Sequence, residues 1–94
     1  MPHYFYILYS EKANKYYIGE THNVDERVKK HNEHFYKNSY TKISDDWKLT
    51  LTFECFDKEE AIFLEKFFKR MKSIRFIEKV IQNPLIISDI LAKK

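Results

Sequence analysis

Five side chains in this sequence have the types and spacing that suit chemistry at a phosphate group: Tyr6, Tyr17, Arg27, His31 and Glu65. An arginine is always charged and can bind two phosphate oxygens at once. A histidine titrates near neutral pH, and a lone glutamate can hold one Mg²⁺ that keeps most of its water. A tyrosine, with a pKa of about 10, acts as a base at neutral pH only beside a cation. Such a set suits the cleavage of a phosphodiester bond.

Two strands joined by a short connection are expected to carry the two tyrosines. Residues 4–9 lack polar alternation, which predicts a strand covered on both faces at the centre of its sheet. Residues 16–19 form the returning strand. A six-residue connection pairs Tyr9 with Tyr16. In this register, and in any other in which the numbers of two paired residues add up to an odd value, Tyr6 and Tyr17 lie on the same face of the sheet.

Gly19 is the only glycine among 94 residues, and it is the last residue of the predicted second strand. A glycine tolerates a positive φ and also allows a close approach to the backbone, and the sequence leaves both reasons open. The position lies where a strand gives way to a helix, and phosphates and catalytic groups often collect at such places.

The predicted first helix covers residues 24–32 and carries Arg27 and His31 on one face, since they are four residues apart. Asn23 is its expected N-cap, with Glu26 as the reciprocal partner of a capping box. Val24 and Val28 give this helix a narrow apolar stripe.

A third strand and further helices complete the predicted fold. In residues 47–56 the side chains of Leu49, Leu51 and Phe53 alternate with polar ones and are expected to face the core. A capping box at residues 57–60 starts a helix that runs to about residue 72, and Glu65 lies at the rim of its apolar face. The predicted core face consists of Phe63, Leu64, Phe67, Phe68 and Met71, with Ala61 at its edge.

Ser73 is expected to start a shorter helix through residue 81, in which Ile74, Ile77, Val80 and Ile81 are apolar and which Asn83 and Pro84 end. The apolar residues 85–91 are expected to fold back on the core. The predicted fold class is α/β of the α+β type: a small three-stranded antiparallel sheet flanked by helices, in the order strand, strand, helix, strand, helix, helix.

Length and composition narrow the class of protein. The chain predicts one domain over residues 1–94, with a core motif region at 4–72 and a C-terminal helical segment at 73–94. The net charge of +3 is compatible with nucleic acid. The single cysteine, Cys55, allows no internal disulfide and no multi-cysteine zinc site. No stretch is long enough to cross a bilayer and no room is left for a secretory signal, so we expect a cytoplasmic protein, monomeric or weakly dimeric.

The sequence resembles the GIY-YIG nuclease superfamily, and most of all its small single-domain bacterial branch. Tyr17-Ile18-Gly19 matches the second half of the family motif, while Tyr4-Phe5-Tyr6 matches the first half with Tyr4 in place of its glycine. The family's helix signature is matched by Thr21, Asn23, Arg27, His31 and Asn32. Glu65 falls where the family keeps its metal-binding glutamate.

The resemblance implies a metal-dependent endonuclease that uses one Mg²⁺ or Mn²⁺ ion. Tyr6 would be the base for the attacking water, Tyr17 its hydrogen-bond partner, Arg27 the phosphate clamp and Glu65 the metal ligand, with His31 bridging a tyrosine or a phosphate. Gly19 would leave the strand end open to the phosphate. The expected substrate is DNA more than RNA, recognised by structure or as a single strand in repair, recombination or processing. Expected nucleic-acid contacts are Lys30, Asn32, Tyr40 and Lys69.

Other interpretations remain open from the sequence. Tyr4 in the glycine position favours a non-catalytic nucleic-acid-binding module with the same fold, and a nuclease subunit that needs a partner is a further alternative. Glu65 can simply pair with Lys69 at i+4, which would stabilise little. His31 can serve the C-terminal end of its helix.

Overall fold

The computed structural model describes residues 2–33 and 43–94. Three strands and four helices occur within these ranges, in the order β1 (His3–Ser10), β2 (Lys15–Thr21), α1 (Val24–Asn32), β3 (Lys48–Cys55), α2 (Lys58–Met71), α3 (Ile74–Gln82) and α4 (Leu85–Ala92). The predicted α+β class and the order of its first six elements are confirmed, and α4 is an additional helix.

The three strands form one antiparallel sheet in the order β2-β1-β3. β1 is therefore central, as its uninterrupted apolar run predicts. On one sheet face, Phe5 and Ile7 join the larger core, which α2 covers. On the other face, Tyr6 and Leu8 pack with Trp47 in a smaller buried cluster.

The hairpin register places the two tyrosines as predicted. Tyr9 faces Tyr16, Tyr6 faces Gly19 and Leu8 faces Tyr17, so facing numbers sum to an odd value throughout. Tyr6 and Tyr17 consequently project from the same face of the sheet. The turn residue Asn14 has a φ of 53° and accepts a 2.7 Å hydrogen bond from the Tyr9 hydroxyl.

An irregularity in β3 changes the face on which its first apolar residue lies. Ile7 pairs with Leu51 but the next residue, Leu8, pairs with Leu49, so Thr50 is an extra residue in the ladder. Leu49 therefore lies on the opposite face from Leu51 and is 41% exposed. The prediction that Leu49 faces the same core as Leu51 is wrong, because strict alternation ends at the bulge. The Thr50 hydroxyl donates a 2.8 Å hydrogen bond to the Ile7 carbonyl.

Helix α2 begins at a side-chain cap and packs on the larger core. The Asp57 carboxylate accepts the Glu60 amide at 2.8 Å, as predicted. Glu60 accepts from the amide of Phe56 rather than that of Asp57. The buried residues of α2 are Ala61, Leu64 and Phe68. Ala61 is thus central to the packed face, and the prediction that Met71 belongs to it is wrong, since Met71 lies at the helix end and is 46% exposed.

Two short helices finish the described chain. Ser73 caps α3 by accepting the Phe76 amide, and Ile77 and Val80 are buried in the core. Ile74, in the first turn of α3, is 59% exposed. Ile87 of α4 is fully buried, so the last apolar segment does fold back. None of these described helices has the length and apolar character that crossing a membrane requires.

Candidate active site

Helix α1 carries the candidate residues on the sheet face opposite α2. The Asn23 side chain accepts the Glu26 amide at 3.1 Å, which confirms the predicted N-cap. The second half of the predicted capping box is absent from this described helix. The Asn23 amide donates to Thr21 Oγ1, and the Glu26 carboxylate pairs with Lys30 at 2.8 Å instead. Val28 packs against the buried Tyr6 cluster and fixes the helix on the sheet.

Tyr6 and His31 form a buried polar pair at the centre of this face. The Tyr6 side chain is fully buried and His31 is 2% exposed. The Tyr6 hydroxyl and His31 Nε2 are 3.1 Å apart, which is a hydrogen bond between β1 and α1. The direction of that bond depends on which His31 nitrogen carries the proton.

Tyr17 completes an aromatic cluster with this pair. Its ring centroid lies 4.7 Å from that of His31 and 6.3 Å from that of Tyr6. Trp47 borders the cluster with its ring 6.5 Å from Tyr17. The structure therefore brings together Tyr6, Tyr17 and His31, which the sequence separates by up to 25 residues.

Burial sets the protonation of His31. Burial, together with the smaller effect of the nearby positive charge of Arg27, lowers the pKa of the imidazole from 6.5 to about 4. The expectation that His31 titrates near neutral pH is wrong for this reason. A neutral imidazole has one donor and one acceptor nitrogen, so His31 can accept a hydrogen bond from Tyr6 at neutral pH.

Gly19 makes room for the Tyr6 ring. Its φ is not positive, so of the two reasons that the sequence leaves open the close approach applies. A Cβ at Gly19 would lie 2.5 Å from the Tyr6 hydroxyl oxygen and 2.6 Å from Cζ. Gly19 also lies inside β2, which continues to Thr21. The Tyr6 side chain thus fills the space beside Gly19 that was expected to lie open to a phosphate at the end of the strand.

Helix α2 brings a carboxylate and a lysine to the Tyr17 side of the cluster. The Glu65 side chain is 24% exposed, and its Oε2 lies 3.7 Å from Lys69 Nζ. Lys69 Nζ in turn lies 5.7 Å from the centre of the Tyr17 ring. The i+4 ion pair that the sequence allows is thus formed, and it connects Glu65 to the tyrosine cluster.

The donor set around Glu65 fits a magnesium ion better than a zinc ion. In residues 2–33 and 43–94, no three histidine, cysteine or acidic side chains are grouped so that they could hold a metal. A single accessible carboxylate is compatible with Mg²⁺, which keeps several waters and uses one or two protein carboxylates together with substrate phosphates.

The other predicted binding residues have varied surroundings. Asn32 uses both ends of its amide on one residue: Nδ2 donates to the Trp47 carbonyl at 2.9 Å and Oδ1 accepts the Trp47 amide at 2.7 Å. Lys30 pairs with Glu26, as described above. Tyr40 lies outside the described residues.

Sequence reasoning missed the polar group that anchors the entry to β3. Ser10 and Ser44 hydrogen bond to each other at 2.8 Å, and both hydroxyls bind Asp46 Oδ1. The Lys12 amide donates to the other oxygen of Asp46 at 3.0 Å. These bonds hold the pKa of Asp46 well below its usual range. Ser10 lies 34 residues before Ser44 and 36 before Asp46, so the group has no local pattern in the sequence. The single tryptophan, Trp47, directly after Asp46, could have indicated a buried position.

The hairpin that carries the two tyrosines and the helix that carries Arg27 and His31 lie within a part of the chain that a known family model matches. The family model described as GIY-YIG catalytic domain matches residues 2–75, and the chain belongs to this family. Membership implies nuclease activity in general, with nucleic acid as the substrate class.

A similar solved structure is the solution NMR structure of the UPF0213 protein BH0048 from Bacillus halodurans. It is 34% identical to this chain, with a TM-score of 0.54, and the match covers 87% of this chain and 84% of that one. A comparison with curated proteins gives no match.

Proposed function

We propose that this protein is a metal-dependent endonuclease that hydrolyses phosphodiester bonds in DNA and selects its substrate by structure or as a single strand. The observation that carries the proposal is the buried hydrogen bond between Tyr6 and His31, formed within ring contact of Tyr17. Buried titratable pairs of this kind are concentrated at functional sites.

Tyr6 is the residue that takes the proton from the attacking water, while its own hydroxyl proton moves along the hydrogen bond to Nε2 of His31. At rest its hydroxyl keeps its own proton and donates to neutral His31, because the His31 pKa of about 4 lies far below that of a tyrosine. His31 thereby orients the hydroxyl oxygen. Arg27 places a positive charge near His31, the hydrogen-bond partner of Tyr6.

Arg27 also serves as the phosphate clamp. It lies one helical turn before His31 on α1, so both side chains leave the helix on one face. Its guanidinium can bind two oxygens of one phosphate and oppose the negative charge that grows there during attack. Tyr17, between His31 and Lys69, holds the opposite side of the cluster.

Glu65 is the residue that holds a single Mg²⁺ or Mn²⁺ ion. When bound, a divalent ion supplies charge neutralisation at the phosphate and at the leaving oxygen. Lys69 pairs with Glu65 in the structure, and this lysine is free to turn to a phosphate once a cation occupies the carboxylate.

The substrate is held mainly through its backbone. Lys30 and Lys69 contribute charge, Tyr40 contributes a base-stacking surface, and Asn32 contributes through the position that it gives Trp47. Cations and aromatic rings bind phosphates and stack on any base without reading base edges, which favours recognition of structure or of single strands in repair, recombination or processing. The protein would act in the cytoplasm as a monomer or weak dimer.

A cleavage panel tests this proposal. Purified protein with Mg²⁺ or Mn²⁺ is incubated with single-stranded, nicked, flapped and branched DNA and with RNA of the same sequences. Cleavage of at least one DNA is expected, with loss on EDTA addition and in Arg27→Ala and Glu65→Ala. Glu59→Gln, in the first turn of the same helix as Glu65, is the matched control and should remain active. Cleavage that persists equally in both site variants would mark a contaminating nuclease.

One observation favours a non-catalytic module as the second candidate. Tyr6 is fully buried in this structure, and a base must reach the proton that it removes. A binding module predicts association with DNA that weakens steeply with salt and no cleavage with either metal. The same panel, with binding measured in parallel, separates the two.

A further inference from the structure

A groove runs along the free edge of the sheet, next to the candidate active site. It has a volume of about 420 Å³ and is lined by Tyr16, Tyr17, Ile18, Lys69 and Lys72. β2 is an edge strand, so this groove lies between the sheet edge and the C-terminal half of α2. Tyr17 belongs both to the groove and to the cluster around His31, which makes the groove continuous with the site.

Lys72 has a backbone conformation that its residue type does not favour. It follows the last residue of α2 and has φ 51° and ψ 35°, the left-handed region. Glycine is the usual residue at this position, because any side chain with a Cβ is strained there. A lysine thus occupies a position where the backbone conformation favours a glycine.

The helix dipole does not explain this lysine. A cation near a helix C-terminus is favourable, but Lys69 and Arg70 already occupy the last turn of α2. Lys72 is exposed, and no ion pair involves it among the described residues. Its charge is therefore available to something outside the chain.

We propose that the groove binds the phosphate of a nucleotide next to the cleaved one on a single strand, with Lys72 and Lys69 as its two cations. This inference rests on the proposed function and adds the path that the strand follows beyond the site. The groove volume falls within the range of sites for small molecules, about 300–1,000 Å³, so it suits one nucleotide unit rather than the width of a duplex. The side chains of Lys69 and Lys72 supply the charge, and the Tyr16 and Tyr17 rings supply an apolar wall.

Binding to a fluorescein-labelled oligo-dT strand, measured by anisotropy in EDTA at several salt concentrations, tests the inference without any cleavage. Lys72→Gly should weaken binding about fivefold and lower the slope of log K against log salt by about 0.7, as expected for one phosphate contact on a single strand. Its Tm should stay equal to that of the wild type or rise, because glycine relieves the left-handed residue. Lys72→Arg, which keeps the charge, should bind like the wild type.

Lys58→Gln is the matched control. It removes the same charge at the opposite end of α2, about 20 Å away, and should leave the slope unchanged. An equal loss in Lys72→Gly and Lys58→Gln, or no loss in either, would overturn the groove assignment, as would a wild type that does not bind the strand at low salt. A sedimentation shift from dimer to monomer in Lys72→Gly would instead identify the groove as a contact between copies and also overturn it.

The two proposals fail separately. If the wild type binds the strand through Lys72 but cuts nothing in the cleavage panel, the groove assignment stands and the nuclease proposal fails. If the wild type cuts DNA and Lys72→Gly binds the strand normally, the nuclease proposal stands and the groove assignment fails.

Discussion

The hydroxyl oxygen of Tyr6 lies 2.5 Å from the point that a Cβ would occupy on Gly19, its directly facing residue across the β1–β2 hairpin. Atoms of a folded protein do not approach a Cβ this closely, so the Tyr6 ring has its position only because residue 19 lacks a side chain. The same hydroxyl contacts His31 Nε2. Gly19 therefore acts on the site through the position of Tyr6.

Gly19→Ala should displace the Tyr6 ring and break its bond with His31. We expect unfolding free energy to fall by about 1–3 kcal/mol, the usual result of overpacking, and the cleavage rate to fall at least tenfold. Urea unfolding and single-turnover cleavage measure the two effects. In a Tyr6→Ala background the penalty of Gly19→Ala should disappear, because the ring that the new methyl group meets is gone. An unchanged penalty would show that Gly19 has another role.

His31 should make stability fall as the pH is lowered from about 6.5 to about 4. Its pKa is about 4 in the folded protein and 6.5 in the unfolded chain, so in this window the unfolded state binds the proton and gains stability. The contribution of His31 to the unfolding free energy is therefore fully present above pH 6.5 and lost below pH 4. For a pKa shift of this size the difference is on the order of 3 kcal/mol. Urea unfolding at several pH values measures it.

The matched comparison uses His31→Gln and His22→Gln. Carboxylates also titrate toward pH 4, so the difference between variant and wild type isolates the histidine. His31→Gln should flatten the profile between pH 6.5 and 4, while His22→Gln, at an exposed position, should keep the wild-type slope. Parallel profiles for wild type and His31→Gln would contradict the lowered pKa.

Asn32→Ala should destabilise the fold, because it leaves the Trp47 amide and carbonyl without the partners that they have here. A loss of about 1–3 kcal/mol is expected for such part-buried groups. Asn32→Asp keeps the acceptor for the Trp47 amide but sets a carboxylate oxygen against the Trp47 carbonyl, so it should also destabilise the fold. Urea unfolding gives the stability, and anisotropy with DNA gives the affinity of the same samples. An affinity loss without any stability loss would mean that Asn32 contacts nucleic acid directly.

The strand pattern and the helix caps could be predicted because each depends on neighbouring residues. The uninterrupted run around Tyr6 placed β1 at the centre of the sheet, and the length of the connection fixed the hairpin register. Asn23 and Asp57 cap their helices as their residue types indicate. Because the register of the hairpin alone decides which residues share a face, the common face of Tyr6 and Tyr17 could be predicted as well.

Features that depend on tertiary contacts could not be predicted. The bulge at Thr50 interrupts an alternation that looks regular in the sequence, so the predicted face of Leu49 is wrong. The low pKa of His31 arises from packing of α1 on the sheet, which spacing within the helix does not reveal. The use of both ends of the Asn32 amide by Trp47 joins residues 15 positions apart.

Single-turnover cleavage by Tyr6→Phe tests the central claim most directly, with Tyr9→Phe as the matched control. Tyr9 lies on the same strand, and its hydroxyl bonds only the turn residue Asn14 among the described contacts. If Tyr6 is the base, Tyr6→Phe should cut more slowly by about 10²–10⁴-fold while remaining folded, and Tyr9→Phe should stay near wild type. A Tyr6→Phe protein that cuts DNA at the wild-type rate would contradict the assignment of Tyr6 and of the buried pair as the catalytic centre.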